Sequence, residues 1–261
     1  MSPVRLASSR RRPLLALAAA LALAGCAEGT TGLGLNVVDP AQVEQMGLET
    51  WQAIKAETPA STDRAAQARA QEISGRILRA AGKDPQRWEV VVFQGAEVNA
   101  FALPGGKIGV YEGMFGAANT PDQMAAVIAH EIAHVDAAHA AERVNTEVGS
   151  QLAAQIAGAA AAAAGVAAPE TVAQVIGVGT QYGVTLPYSR NQELEADRLG
   201  MQSMARAGYD PRGAVELWRK LGGGGGARPP VFASTHPAPE ARIASLEAEL
   251  PAAMAIYQQR R

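Results

Sequence analysis

The chain has 261 residues, 48% of them apolar and 18% charged, which suits one compact domain behind any leader and excludes collagen-like, coiled-coil and wholly disordered chains. Its formal charge is −2, and four basic residues, Arg5, Arg10, Arg11 and Arg12, fall in the first 25 positions, leaving 19 basic against 25 acidic residues, or −6, in the rest. A mildly acidic chain without a basic stripe excludes nucleic acid as partner, since phosphate binding needs clustered Lys and Arg, and its abundant alanine favours a mainly α class.

Residues 1–25 combine a basic start with an apolar run from Leu14 to Ala24, the pattern of an export signal. Eleven helical residues reach only about 16 Å, against a hydrocarbon core of about 30 Å, so this run does not span a bilayer. Leu23-Ala24-Gly25-Cys26 resembles a bacterial lipobox, which implies cleavage before Cys26 and acylation of that cysteine. Cys26 is the only cysteine, so neither an internal disulfide nor a Cys metal cluster is available to it. Ala27 stands where an Asp would retain such a lipoprotein at the inner membrane, so the expected place is the outer membrane of a Gram-negative bacterium, facing the periplasm. Residues 26–40 read as a tether, rich in small and turn-forming residues, and a single domain is expected over 41–261.

Within that domain Ala41 to Glu57 and Thr62 to Ala81 read as helices; in the second, Ile73, Ile77, Leu78 and Ala81 share a face. Three short runs rich in β-branched and aromatic residues follow, Trp88 to Phe93, Val98 to Leu103 and Lys107 to Tyr111, the last two separated by Pro104-Gly105-Gly106. They predict a small three-stranded sheet. Thr120-Pro121-Asp122-Gln123 is a strong helix start, with Thr as N-cap, Pro at N1 and Gln completing a capping box; the helix is expected to run to about Asn145. The Ala/Gly-rich stretch 151–183 reads as close-packed helix rather than a membrane pair, because Gln155 and Glu170 interrupt it. Asn191 to Ala207 and a segment capped by Asp210 through Leu221 are further helices. Glycines 222–226 form a loop, and a last helix is expected from Pro239 to Leu250.

His130-Glu131-Ile132-Ala133-His134 is H-E-x-x-H on the capped helix. Positions 130 and 134 lie about 40° apart and one turn along, so both imidazoles can share one ion. Glu131 stands about 100° round, where its carboxylate reaches a bound water rather than the metal. A catalytic zinc needs a third protein ligand and an open position. His139 is nine residues beyond His130, about 180° round if the helix is continuous, and so packs near the site rather than ligating. Glu193 and Asp197 are again i and i+4. A second helix crossing the first can offer Glu193 to the ion while Asp197 accepts the free ring N–H of a ligand histidine. Glu195 points elsewhere, solvated or paired with an Arg.

Four blocks, NAFALPGGKIGVYEGM (99–114), HEIAHVDAAH (130–139), SRNQELEAD (189–197) and STHP with PEARI (234–243), resemble the HtpX and CAAX-prenyl-protease family of zinc metallopeptidases (peptidase family M48), in its soluble periplasmic lipoprotein branch. The resemblance covers about 50–250. It implies an α+β, mainly α, zincin-like (minigluzincin) fold with the sheet beside the H-E-x-x-H helix. It also implies one Zn2+ per chain on His130, His134 and Glu193, Asp197 orienting the first histidine, and Glu131 as catalytic base. An edge strand, Asn99-Ala100-Phe101-Ala102, would bind extended peptide by β-addition. His236 is placed at the cleft, as a catalytic oxyanion donor or as a displaceable extra ligand.

The expected function is thus a lipid-anchored zinc endopeptidase that hydrolyses unfolded or misassembled envelope proteins, with outer-membrane assembly machinery as a possible partner. Two rivals use the same cleft: a non-catalytic holdase or assembly factor, and a metal amidase acting on peptidoglycan stem peptides.

Overall fold

The computed structural model describes residues 38–149, 187–222, 230–237 and 239–260. The expected leader, Cys26, nearly all of the tether, the stretch 151–183 and glycines 223–226 lie outside the described residues. The chain divides into a larger compact unit, 39–144 with 171–261, and a smaller one, 1–38 with 145–170. In the smaller unit the Val38 amide donates to Asn145 Oδ1 at 2.8 Å. The sheet and the helices that carry the site belong to the larger.

Helix α1 (Pro40–Glu57) starts on Asp39, whose carboxylate accepts from the Ala41 amide while Gln42 completes a capping box. Asp63 caps α2 (Arg64–Ala80) by accepting from the Ala65 and Ala66 amides. A 3-10 turn (Pro85–Arg87) leads into β1 (Glu89–Phe93). Strand β2 (Ala100–Leu103) pairs antiparallel with β3 (Lys107–Tyr111), which pairs parallel with β1, so the order is β1-β3-β2 and β2 is an edge. Gly105 and Gly106, in the three-residue loop between β2 and β3, have φ of 84° and 71°, left-handed conformations that glycine adopts without steric cost. Strand β2 starts at Ala100 rather than at Val98; the Val98 carbonyl accepts from the Phe232 amide at 3.0 Å.

After a short helix α3 (Met114–Ala117) comes α4 (Pro121–Asp136), which carries His130, Glu131 and His134. Thr120 Oγ1 caps it by accepting from the Gln123 amide at 3.1 Å. The capping box is only half formed: Gln123 Oε1 is buried without a hydrogen-bond partner. Nor does α4 run to Asn145. It ends at Asp136, the Ala137 amide closes on the Ala133 carbonyl, Ala138 adopts φ 55°, and the chain is helical again from 139.

Helix α5 (Arg190–Arg206) begins with a capping box between Ser189 and Gln192. It is followed by α6 (Arg212–Gly222), a one-turn α7 (Val231–Thr235) and α8 (Pro239–Gln258). Helix α8 passes through Pro251 and beyond the expected end at Leu250, because Ala253 is buried and Ile256 and Tyr257 pack on the core. That packing outweighs the lost backbone bond.

The core unites one face of α2 (Ile73, Ile77) with α4, α5 (Met201, Met204), α6 (Leu217, Trp218) and Leu246 of α8. The far side of the sheet holds Trp51, Phe93, Phe101 and Leu103, with Trp51 edge-on to Phe93 at 5.5 Å between centroids. Strand alternation turns Phe101 and Leu103 to that side and Ala100 and Ala102 toward α4. Two alanines thus let α4 lie close to the edge strand. No helix among the described residues is long and apolar enough to cross a membrane.

Candidate metal centre

Every residue of α4 from Gln123 to His134 is buried, so its histidines cannot be solvated and must find polar partners inside. The partners come from α5. A Cβ on Gly200 would lie 3.0 Å from the His130 amide nitrogen and 3.1 Å from the Ala129 carbonyl carbon; glycine therefore lets the two helix backbones touch at this crossing. Asp197 and Glu193 stand three and seven residues before Gly200, on the same face, and are delivered to the histidines.

His130 Nε2 lies 3.0 Å from His134 Nε2 and 3.4 Å from Glu193 Oε2. His134 Nε2 lies 3.6 Å from Glu193 Oε1. A third imidazole joins them: His236 Nδ1 is 3.2 Å from His130 Nε2 and 3.0 Å from Glu193 Oε1. One ligand atom from each of His130, His134, Glu193 and His236 lies within 4.8 Å of all the others, and all four residues are buried. A tetrahedral ion with bonds of about 2.0–2.1 Å requires ligand atoms about 3.3 Å apart, and the contacts among His130, His134 and Glu193, at 3.0–3.6 Å, bracket that spacing. Ring nitrogens crowded this closely, with a carboxylate among them, are the donor set of a divalent transition ion.

The remaining ring nitrogens and carboxylates are anchored. His130 Nδ1 faces Asp197 Oδ1 at 3.0 Å. Arg242, fully buried in the first turn of α8, holds Asp197 through Nε at 2.6 Å and through Nη2. Its Nη1 pairs with Glu193 Oε2, and its guanidinium lies 3.6 Å over the Trp218 ring. The sequence blocks include Arg242 within PEARI without marking it; its chemical signal, a lone cation following a His-Pro pair, has no local periodicity to reveal it.

Glu131 is held differently. Its Oε2 accepts from the Ala102 amide of the edge strand at 3.1 Å. Its Oε1 lies 3.3 Å from His236 Nε2 without the alignment for a hydrogen bond. Of the edge strand itself, the Asn99 carbonyl accepts from the Tyr111 amide and Phe101 points into the aromatic cluster. Antiparallel alternation therefore leaves Ala100 and the Ala102 carbonyl facing outward.

Charge follows this layout. Burial raises the Glu131 carboxyl, and the nearby Glu193 adds to the rise against the opposing pull of His236 and His130. For Glu193, burial is overcome by His236, His130 and Arg242, which hold it well below the usual carboxylate range. Burial and Arg242 oppose a proton on His130, yet its bonds to Asp197 and Glu193 push it up to about 9. Burial, with His130 and His236 alongside, drives His134 well below its ordinary value.

His139 packs beside the site without ligating, and Glu195 is exposed, as expected; the helix premise and the partner of Glu195 are what differ. The break after Asp136 voids the argument from a continuous helix, and His139 Nδ1 comes within 2.9 Å of His134 Nδ1. It does not join the metal-ligating group. Glu195 pairs with His139 Nε2 at 3.4 Å rather than with an arginine.

The sequence model described as Peptidase family M48 matches residues 64–250. The mitochondrial metalloendopeptidase OMA1 of Schizosaccharomyces pombe is 36% identical over 180 residues, covering 68% of this chain and 51% of that protein. OMA1 of Saccharomyces cerevisiae is 30% identical over 70% of this chain and 56% of that protein. The beta-barrel assembly-enhancing protease of Escherichia coli is 31% identical over 57% of this chain and 31% of that protein. The chain thus spans about half, or less, of the length of these relatives.

Proposed function

Because the chain belongs to Peptidase family M48, we propose that it is a zinc-dependent endopeptidase with His130, His134 and Glu193 as the ligands of one zinc and Glu131 as general base. The observation that carries this reading is the convergence of two ring nitrogens and the Glu193 carboxylate at 3.0–3.6 Å, with the adjacent Glu131 carboxylate keeping one oxygen out of any hydrogen bond. When bound, the ion supplies Lewis acidity to the scissile carbonyl and lowers the pKa of a water toward about 7. Glu131, steadied by the Ala102 amide, would take a proton from a water as that water's oxygen bonds the scissile carbonyl carbon, and return it to the amine as the C–N bond breaks. Asp197 fixes the His130 tautomer by accepting from Nδ1, and Arg242 keeps Asp197 and Glu193 ionised and in place.

His236 fits a displaceable extra ligand better than an oxyanion donor, because its Nδ1 sits among the other ligand atoms at 3.0–3.2 Å. Substrate is then an extended segment of an unfolded or misassembled protein laid along Ala100 and Ala102. The lipobox-like Leu23-Ala24-Gly25-Cys26 supports anchoring at the outer membrane on the periplasmic side, and similarity to the beta-barrel assembly-enhancing protease of E. coli supports a link to barrel-assembly quality control.

The test is zinc quantification with cleavage of denatured casein for wild type, Glu131→Gln and Glu193→Ala. Glu131→Gln should keep zinc and lose cleavage by at least about a hundredfold, the size of a general acid–base contribution, whereas Glu193→Ala should lose zinc as well. Wild-type zinc retention by Glu193→Ala removes the assigned third ligand; full activity of Glu131→Gln removes the peptidase reading.

A further inference from the structure

Ala138, with φ 55°, is the one described non-glycine residue in the left-handed region, a conformation in which an L-residue is strained. The turn it makes redirects the chain after Asp136, so that His139, 1% exposed, returns onto α4. Its Nδ1 lies 2.9 Å from His134 Nδ1 and its Nε2 lies 3.4 Å from Glu195 Oε2. The Glu195 side chain is 49% exposed, so this chain of contacts runs from the ligand cluster to the surface.

The protons along it are fixed by the first ring. His134 Nε2 belongs to the convergent group, and a ring nitrogen that ligates must keep its lone pair, which leaves the single ring proton on Nδ1. That proton faces His139 Nδ1, which must accept. His139 then carries its own proton on Nε2, directed at the Glu195 carboxylate. Every donor meets an acceptor, and no other arrangement of neutral rings achieves this.

We propose that His139 is the positioning residue of His134, fixing its tautomer and ring orientation through Nδ1, with Glu195 orienting His139 in turn. This rests on the metallopeptidase reading above. The two ligand histidines are therefore steadied by different means: His130 by a buried carboxylate clamped by Arg242, His134 by a neutral imidazole backed by an exposed carboxylate. A ring there only to fill space would not need its nitrogen 2.9 Å from another.

The test compares zinc affinity by chelator competition, kcat and KM on denatured casein, and thermal unfolding for wild type, His139→Phe, His139→Asn and Glu195→Ala. His139→Phe keeps the volume and removes the acceptor; zinc affinity should fall about 10–100-fold and kcat should fall with KM little changed. His139→Asn places Oδ1 where Nδ1 stood and should restore most of both. Glu195→Ala should lower both by less. A folded His139→Phe protein with wild-type zinc affinity and kcat overturns the proposal, as does an Asn variant no better than Phe. If the Phe variant does not fold, unchanged zinc affinity and kcat in Glu195→Ala overturn it. Wild-type protein that holds no zinc brings down the metallopeptidase reading too, whereas active, zinc-loaded wild type beside an unaffected Phe variant refutes the role of His139 alone.

Discussion

Two carboxylates, Glu193 and Asp197, share the guanidinium of Arg242 in a pocket from which all three are almost wholly excluded from water. Removing the cation leaves both anions buried without it, so Arg242→Met in the metal-free protein should cost about 3–5 kcal/mol, read from the urea midpoint at unchanged slope. Arg242→Lys keeps a charge but not the planar fork that grips Asp197 through two nitrogens, and should fall between. These effects were invisible in the sequence: H-E-x-x-H and the Glu193/Asp197 pair announce themselves by helical spacing, whereas Arg242 acquires its meaning only when α8 is laid against α4 and α5. His236, by contrast, was legible as a cleft residue through resemblance, and the structure adds which of its nitrogens faces the ligands.

At the level of elements, what decides the site is how closely α4 and α5 approach. Gly200→Ala forces a methyl against the His130 backbone at 3.0 Å; overpacking of this kind costs about 1–3 kcal/mol, and because Glu193 rides on the same helix, zinc affinity should fall with stability. Wild-type zinc affinity in Gly200→Ala would show that the crossing tolerates a shift. Ala138→Gly tests the turn after α4: releasing a left-handed alanine, a strain of about 1–2 kcal/mol, offset by the greater freedom of glycine in the unfolded chain, should raise the melting temperature slightly. A drop would mean that the turn is held by contacts needing the methyl. The strands and four of the long helices were readable from pattern and caps, to within a few residues. The end of α4 was not, since no Gly marks it, and neither was the passage of α8 through Pro251, where burial of Ala253 overrides a residue that ordinarily stops a helix.

Across the whole molecule the site is stitched from distant stretches, with α4 contributing His130 and His134, α5 Glu193, and the segment around α7 and α8 His236 and Arg242. An ion held by all of them binds only the folded chain, so at free zinc about a hundred times its Kd it should add about 2.7 kcal/mol, lost on chelation. Thermal unfolding with and without a chelator measures this; identical transitions would mean that no ion bridges these segments. The composition pointed to helices, but tertiary closeness of residues a hundred positions apart has no local signature. One contact at this scale reaches outward. The Ala102 amide, which faces away from its own sheet, is spent on Glu131, so one rung of this unpaired but buried edge is already taken by the protein's own carboxylate. If substrate adds to this edge as proposed, a visiting chain would step over that rung and fasten at Ala100, which would set the phase in which successive peptide groups pass the Glu131 carboxylate. The point of scission would then be measured out along the visitor's main chain, leaving its side chains comparatively free to vary.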